Sequence, residues 1–199
     1  MENGEFIDSY FQELESITRR ISREDIDKVI ELLYTTWREE KQVFLAGNGG
    51  SSSTAVHFAS DLAKYVSVEG KKRFRVMALN DNMPLISALT NDLGWETIYV
   101  EQLRNLWQKG DVFVVITVHG GSGKDAAGLW SQNLLKAAEF VKNNHGKVIG
   151  LAGFDGGVLR RIADACIVVP INSTPHVEGF HVVLTHLISA KLRELIGES

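Results

Sequence analysis

Five short apolar runs, separated by segments with helical spacing, constrain the fold of this chain more than any other feature. The runs are rich in β-branched or aromatic residues and read VFLA (43–46), FRVMAL (74–79), VFVVIT (112–117), KVIGLA (147–152) and CIVV (166–169). Strands that alternate with helices usually form a mainly parallel sheet with helices on both faces. The sequence therefore predicts an α/β domain in which ligands bind at the carboxyl ends of the strands.

A helical hairpin is predicted before the first strand, over residues 1–41. Apolar residues recur at helical spacing in two runs, first at Phe6, Tyr10, Leu14, Ile17 and Ile21, then at Ile26, Val29, Ile30, Leu33 and Trp37. Ser22 and Asp25 resemble a capping box between the two runs. The apolar stripe needs cover, so we expect the hairpin to contribute to oligomerisation, while residues 42–199 form the α/β core.

Composition favours one globular domain over residues 1–199, because no proline-rich or low-complexity linker divides the chain. The net charge of −4 does not favour nucleic acid. No apolar run approaches the ~20 residues of a membrane span, and the start MENGEFIDSYF lacks a secretory pattern. We therefore expect a cytoplasmic protein with neither a membrane nor a nucleic-acid partner.

A turn rich in glycine and serine follows the first predicted strand and opens a helix. It contains Asn48, Gly49, Gly50 and Ser51, and Ser52 and Ser53 follow. Glycines let the backbone approach a ligand, and the amides at a helix start favour an anion. A tight strand-to-helix connection with serine caps would give the same pattern. On composition alone the two interpretations stay open.

Neither this turn nor a later glycine-rich segment, GGSGKD (120–125), indicates a nucleotide cofactor. The dinucleotide fingerprint requires a glycine where Ser52 stands, and the later GGSGKD lacks the spacing of a P-loop.

A second turn, TVHGGSGKD (117–125), follows the third predicted strand. It offers Thr117, His119, Gly120 and Ser122. Two such turns at the ends of strands of one sheet could hold the two ends of a phosphorylated small molecule. We therefore predict a site for a phosphorylated small molecule between them.

Histidines and carboxylates recur on two predicted helices. His57 and Asp61 are four residues apart, so they share one helix face after the first turn. Glu178 and His186 lie about two turns apart on a late helix, and we interpret His176 and His181 as packed residues. These groups could bind a divalent metal such as zinc, or they could move protons in an aldose–ketose isomerisation. The residues alone leave both alternatives open.

Several motifs resemble those of one known family. GNGGSSSTAVHFASDL, ALTNDLG (88–94), GDVFVVIT (110–117), LAGFDGG (151–157) and the late histidine-bearing helix match it in order and spacing over nearly the whole chain. The chain is similar to the sugar isomerase (SIS) domain of the phosphoheptose isomerase family. That resemblance implies a three-layer sandwich with a five-stranded parallel sheet, and a homotetramer with active sites at subunit interfaces.

The resemblance also implies an activity and its residues. The family converts sedoheptulose 7-phosphate to D-glycero-D-manno-heptose 7-phosphate through an enediolate, without a nucleotide cofactor. Asn48, Ser51 and Asp92 would contact the substrate, and the turn after the third strand would hold its phosphate. The late glutamine of the family falls on Glu178. By position, the implied zinc ligands are His57, Asp61, Glu178 and His186, of which Asp61 and His186 would be catalytic.

Five departures from the family pattern concern this site. Asp61 replaces a glutamate and is one methylene shorter, and a displacement of roughly 1 Å can cost ~100-fold in rate. Glu178 replaces a neutral glutamine, which adds negative charge favourable to a cation. A Ser-Thr-Ser run reads Thr117, Val118, His119, and a family aspartate falls on Pro175. The segment 117–133 is also enlarged, with the next helix expected to resume at Leu134.

A different class of function remains open. Some relatives with this domain bind the bacterial replication initiator or sense phosphosugars without catalysis. The retained histidines and carboxylates favour the enzyme, whereas the hydroxyls lost at 118 and 119 are compatible with a binding module.

Overall fold

The sheet has five parallel strands in the described part of the chain, in the order β2-β1-β3-β4-β5. This computed structural model describes residues 2–121 and 131–199. The strands are β1 (Gln42–Gly47), β2 (Arg75–Ala78), β3 (Val112–Ile116), β4 (Lys147–Gly153) and β5 (Ala165–Val169). The run predicted at 74–79 pairs over fewer residues because β2 lies at the edge of the sheet. Ser122 lies outside the described residues.

Helices flank the strands in chain order. They are α1 (Asn3–Arg20), α2 (Arg23–Arg38), α3 (Gly50–Ser60), α4 (Met83–Leu93), α5 (Ile98–Leu106), α6 (Gln132–Asn143), α7 (Gly157–Ile162) and α8 (Thr174–Glu198). A π-helical turn, Asp61–Tyr65, extends α3, and a 3₁₀ turn, Trp95–Thr97, precedes α5. None of the helices in 2–121 and 131–199 combines the length and the apolarity that a membrane crossing needs.

Consecutive strand residues face opposite helical layers. In β1, Val43 and Leu45 pack into a core formed with α2, α3 and α8. Phe44 and Ala46 pack into a second core, formed with α4, α5, α6 and α7. A parallel sheet covered on both faces needs apolar residues at every position, which explains the unbroken apolar runs. The predicted three-layer α/β fold is confirmed.

The N-terminal hairpin is confirmed as α1 followed by α2. The side chain of Ser22 accepts a hydrogen bond of 3.1 Å from the backbone N–H of Asp25, as the capping motif predicts. Ile17 is fully buried, whereas Phe6 and Phe11 are 60% and 64% exposed. The first half of α1 therefore presents an apolar surface. The assignment of residues 1–199 to one domain stays a prediction.

His176 ties α1 to the start of α8. Its ring stacks on Tyr10, with the centroids 3.9 Å apart, and Nδ1 lies 2.7 Å from the hydroxyl of Ser173. Its Nε2 lies 3.3 Å from a carboxylate oxygen of Glu13. His176 is buried, as expected of a packed residue.

Candidate active site

Three side chains that can bind a metal meet where α3 and its π-helical extension pack against α8. Nε2 of His57 and Nε2 of His186 lie 3.2 Å apart, and Oδ2 of Asp61 lies 3.8 Å and 3.7 Å from them. We call His57, Asp61 and His186 the His–Asp trio. The family resemblance implies a metal site of these three residues and Glu178, and the structure brings these three together.

Local helix geometry positions the trio. His57 lies in the last turn of α3, and Asp61 begins the π-helical turn. π-Helical turns are rare and often occur at functional sites. The two imidazoles are about half exposed, whereas the side chain of Asp61 is 18% exposed. A cavity of about 360 Å³ borders the trio and is lined by Asp61, Tyr65, His186 and Ala190.

The donor set of the trio fits a zinc ion. Imidazole nitrogen and carboxylate oxygen are both common zinc ligands, at about 2.0–2.2 Å. Two imidazole nitrogens 3.2 Å apart cannot both carry a proton without repulsion, so this approach requires a shared proton or a cation. Oδ2 of Asp61 is buried, and within the described residues it has no hydrogen-bond partner. Such a buried acceptor is costly unless a donor or a cation satisfies it.

A second site, the two-turn cleft, lies at the carboxyl ends of β1 and β3. Its volume is about 230 Å³. The lining residues are 48–51 of the first turn, 117–119 of the second turn, Ser131 and Glu178. Thus most of the substrate contacts predicted from the sequence share one cleft.

The first turn depends on glycine. A Cβ built on Gly47 would lie 2.4 Å from the backbone oxygen of Ser51, so no other residue fits there without moving the backbone. Gly49 has φ +54°, a conformation that glycine adopts at little cost. Together they fold the turn back onto the start of α3, where backbone amides and the helix dipole favour an anion.

The second turn is held by contacts with its neighbours in the sheet. The N–H of Thr117 donates to the carbonyl of Leu151 at 3.0 Å, and the ring of His119 packs on Phe154 at 4.3 Å between centroids. Gly120 is buried against the backbone of Gly156 and is not among the cleft-lining residues. His119 therefore enters the cleft from a packed position.

Glu178 lies in the two-turn cleft and is not part of the trio. A Cβ built on Gly50 would lie only 2.6 Å from Oε1 of Glu178, so this carboxylate lies directly over the first residue of α3. Among the described residues, the metal-ligand atoms that lie within 4.8 Å of one another belong to His57, Asp61 and His186. The fourth metal ligand implied by the resemblance stays a prediction.

Two further predicted residues lie elsewhere. Asp92 is exposed near the end of α4, where it accepts a hydrogen bond of 2.7 Å from the side chain of Asn91. It is not among the residues that line the cleft. Ser122 falls outside the described residues, so both substrate contacts stay predictions.

His181 is a buried core residue on α8, as expected. Burial lowers its pKa to about 4, so the ring is neutral at physiological pH. Its Nε2 lies 3.1 Å from the carbonyl of Ala152, to which it donates. This hydrogen bond fixes α8 against the end of β4, between Glu178 and His186.

Sequence reasoning missed Ser131, Asn133 and Tyr99. Ser131 precedes α6 and lines the cleft, and α6 begins at Gln132, before the expected Leu134. A serine before a helical run is an N-cap signal, which could have drawn attention to Ser131. Asn133 and Tyr99 are buried polar residues with hydrogen bonds near the first turn, and no local pattern indicates that role.

Comparison with known proteins identifies the family. The sequence model of the SIS domain family matches residues 9–153 of this chain. The chain belongs to the SIS domain family. The match includes α3, the π-helical turn and both turns of the cleft, and it ends before the α8 residues of this SIS domain. The resemblance noted in the sequence is thereby confirmed.

Two relatives show how this SIS domain compares in sequence. The lincomycin biosynthesis protein LmbN of Streptomyces lincolnensis is 40% identical over 162 residues, which is 79% of this chain and 58% of LmbN. The chain thus spans less than two thirds of that relative. A phosphoheptose isomerase of Helicobacter pylori is 31% identical over 166 residues, which is 83% of this chain and 81% of the relative.

A solved structure agrees with the SIS fold described above. The phosphoheptose isomerase of Francisella tularensis superposes with a TM-score of 0.85 at 25% identity. The superposition covers 98% of this chain and 100% of that protein. The likeness therefore includes the N-terminal hairpin and α8 as well as the sheet.

Proposed function

We propose that the chain is a phosphosugar aldose–ketose isomerase whose substrate is sedoheptulose 7-phosphate and whose product is D-glycero-D-manno-heptose 7-phosphate. The main support is the position of the His–Asp trio, which offers a carboxylate and an imidazole side by side. The Helicobacter pylori relative, 31% identical over 83% of this chain, is named a phosphoheptose isomerase, which supports a phosphorylated heptose as the substrate.

The chemistry moves one proton between neighbouring carbons. A base removes a proton from C1 of the ketose, the electrons form the C1–C2 double bond of an enediolate, and a proton is delivered to C2. The π electrons of the C2 carbonyl move onto O2, which gains a proton, and O1 loses its proton as the C1 aldehyde forms. Asp61 and His186 are suited to these steps because the two side chains approach to 3.7 Å. With a metal on Oδ2 and Nε2, the second carboxylate oxygen of Asp61 and Nδ1 of His186 would be the atoms left to take and give the proton.

Zinc is the proposed metal, and the trio would hold it. When bound there, it would supply Lewis-acid stabilisation of the negative oxygen of the enediolate. His57 contributes an imidazole that orients the neighbouring groups, and Asp61 keeps its carboxylate in a partly buried position where water competes weakly. Glu178 is proposed as a contact to substrate in the cleft. Its role as the fourth ligand, which the resemblance implies, stays a prediction.

The two-turn cleft is proposed to bind the phosphosugar. Backbone amides at the start of α3 and the hydroxyls of Ser51, Thr117 and Ser131 are donors suited to phosphate and sugar oxygens. His119 adds an imidazole that replaces a hydroxyl of the family pattern. Asp92 and Ser122 remain proposed contacts.

A homo-oligomer, with a tetramer as the specific form, is proposed on the basis of apolar surface. Phe6, Ile7 and Phe11 are exposed on α1, and Val183 and Leu187 are exposed beside the trio on α8. Exposed apolar groups of this kind are typical of subunit interfaces. A neighbouring subunit would then cover the trio. A cytoplasmic location is part of the same proposal.

The deciding experiment incubates the purified protein with sedoheptulose 7-phosphate, with and without added zinc, and follows the aldose product. Turnover that increases with zinc supports the isomerase and the metal together. No turnover by an intact oligomer with bound zinc contradicts this substrate, and binding of the sugar phosphate without conversion would indicate a binding module instead.

A further inference from the structure

A pair of side-chain amides joins the first turn to the start of α6. Nδ2 of Asn48 donates to Oδ1 of Asn133 at 3.0 Å, and Nδ2 of Asn133 donates back to Oδ1 of Asn48 at 2.9 Å. Asn133 is completely buried, whereas Asn48 lines the two-turn cleft. The pair therefore links a buried residue directly to a residue at the candidate substrate site.

A backbone amide sets the orientation of this pair. Two facing amides could both be rotated by 180° and keep their mutual hydrogen bonds. The N–H of Leu134 donates to Oδ1 of Asn133 at 2.9 Å and also to the carbonyl of Ser131 at 3.1 Å. A rotated Asn133 would place its NH2 group against this N–H, donor against donor. Asn133 is therefore held in one orientation. Its NH2 group needs the oxygen of Asn48 as acceptor, so Asn133 also fixes the orientation of the Asn48 amide.

Tyr99 supports the same turn from α5. Its hydroxyl donates to the carbonyl of Gly47 at 2.7 Å and lies 3.4 Å from Oδ1 of Asn48. Nδ2 of Asn80 donates to the Tyr99 oxygen at 2.8 Å and to the Gly47 carbonyl at 2.9 Å. Burial raises the pKa of Tyr99 to about 12, so its hydroxyl remains a donor at neutral pH.

The network also connects the first turn of the cleft to the segment that contains Ser131. Ser131 lines the cleft two positions before Asn133, and residues 48–51 line it from the other turn. Loss of either partner of a buried hydrogen bond leaves a polar atom without a partner. Neighbouring side chains or turns then move to satisfy that atom. A change at Asn133 would therefore alter the cleft through Asn48.

We propose that Asn133 and Tyr99 are positioning residues that act through Asn48, hold its amide in one orientation at the cleft, and fix the first turn relative to Ser131. This inference rests on the proposed isomerase activity. Neither residue is among those that line the cleft, so their contribution is distinct from that of the substrate contacts.

The test is a double-mutant cycle on kcat/KM for sedoheptulose 7-phosphate. Asn133→Ala is expected to lower kcat/KM about tenfold in the otherwise unchanged protein and less than about twofold when Asn48→Ala is already present. Tyr99→Phe removes one oxygen and is the second variant, with an expected loss of about fivefold and the same dependence on Asn48.

Matched controls separate positioning from general packing. Asn144→Ala changes an exposed asparagine at the other end of α6, and Tyr34→Phe changes a half-buried tyrosine on α2. Circular dichroism verifies that each variant is folded at the assay temperature. We expect kcat/KM of both controls to stay within about twofold of the unchanged protein.

Each outcome decides the inference. Losses that disappear in the Asn48→Ala background support it, whereas equal losses in both backgrounds, or no loss in folded variants, overturn it. If the unchanged protein does not turn over the sugar phosphate, the proposed function fails, and the cycle is evaluated on the calorimetric affinity for that compound. Absence of binding as well overturns both proposals.

Discussion

The His–Asp trio and the two-turn cleft both involve α3 and α8, but they are built in different ways. The trio consists of three side chains on two helices, and its geometry follows from helical spacing and one helix contact. The cleft is formed largely by turns at strand ends, where a glycine approaches backbone atoms and buried amides fix the chain. In the proposed function, the trio performs the proton transfer and the cleft determines which substrate binds.

The largest expected effect tests the trio as the chemical centre. His186→Ala should lower kcat about 1,000-fold and leave the fold intact, because the proton transfer loses an imidazole that lies on the surface of α8. The measurement is formation of the aldose product, with the melting temperature as a check on folding. Lys191→Ala, on the same helix, is the control, and near-normal turnover by His186→Ala would remove this histidine from the mechanism.

A smaller effect is expected for metal binding. Asp61→Asn should weaken zinc affinity about 100-fold, since the amide lacks the charge that compensates the cation. Calorimetric titration of the zinc-free protein measures the change, and Asp27→Asn on α2 serves as the comparison. Unchanged affinity would separate Asp61 from the metal and leave it a purely catalytic or structural role.

A change at Glu178 tests whether this residue acts in the cleft or as a metal ligand with the trio. Its carboxylate lies over Gly50, so Glu178→Gln should lower KM for the sugar phosphate about tenfold by removing repulsion of the phosphate. Zinc content should stay unchanged. The reverse result, loss of zinc with KM unaffected, would assign Glu178 to the trio. Glu194→Gln, an exposed change on the same helix, controls for net charge.

The smallest effect concerns a single hydroxyl in the cleft. Ser131→Ala should raise KM about fivefold with kcat nearly constant, because one hydrogen bond to substrate is lost. Steady-state kinetics measures the two constants separately, and Ser87→Ala on α4 is the reference. An equal fall in kcat without a change in KM would indicate that Ser131 acts in the transition state.

The sequence predicted elements well where the signal is local. The apolar runs identify all five strands, and the spacing of His57 and Asp61 places both on one helical face. Convergence with His186 is a contact between distant parts of the chain, so only the family resemblance could predict it. Periodicity specifies which face a residue occupies but not which helix packs against it.

Glu178 illustrates why the remaining features could not be predicted. It lies eight positions before His186, and a rise of 1.5 Å per residue separates them by about 12 Å along α8. Whether Glu178 and His186 belong to one site depends on the angle at which α8 crosses α3. The network of Asn133, Tyr99 and Asn80 is harder still, because isolated polar residues give no sequence signal until their partners are known.

Gly47 has a consequence for how relatives of this protein can diverge. Every missense change in a glycine codon adds a side chain, and here the first carbon would meet the backbone of Ser51. By contrast, Gly179 on α8 has open space around the corresponding position. Lineages that acquire new sugar substrates are therefore expected to vary the side chains around the first turn and to inherit Gly47 unaltered.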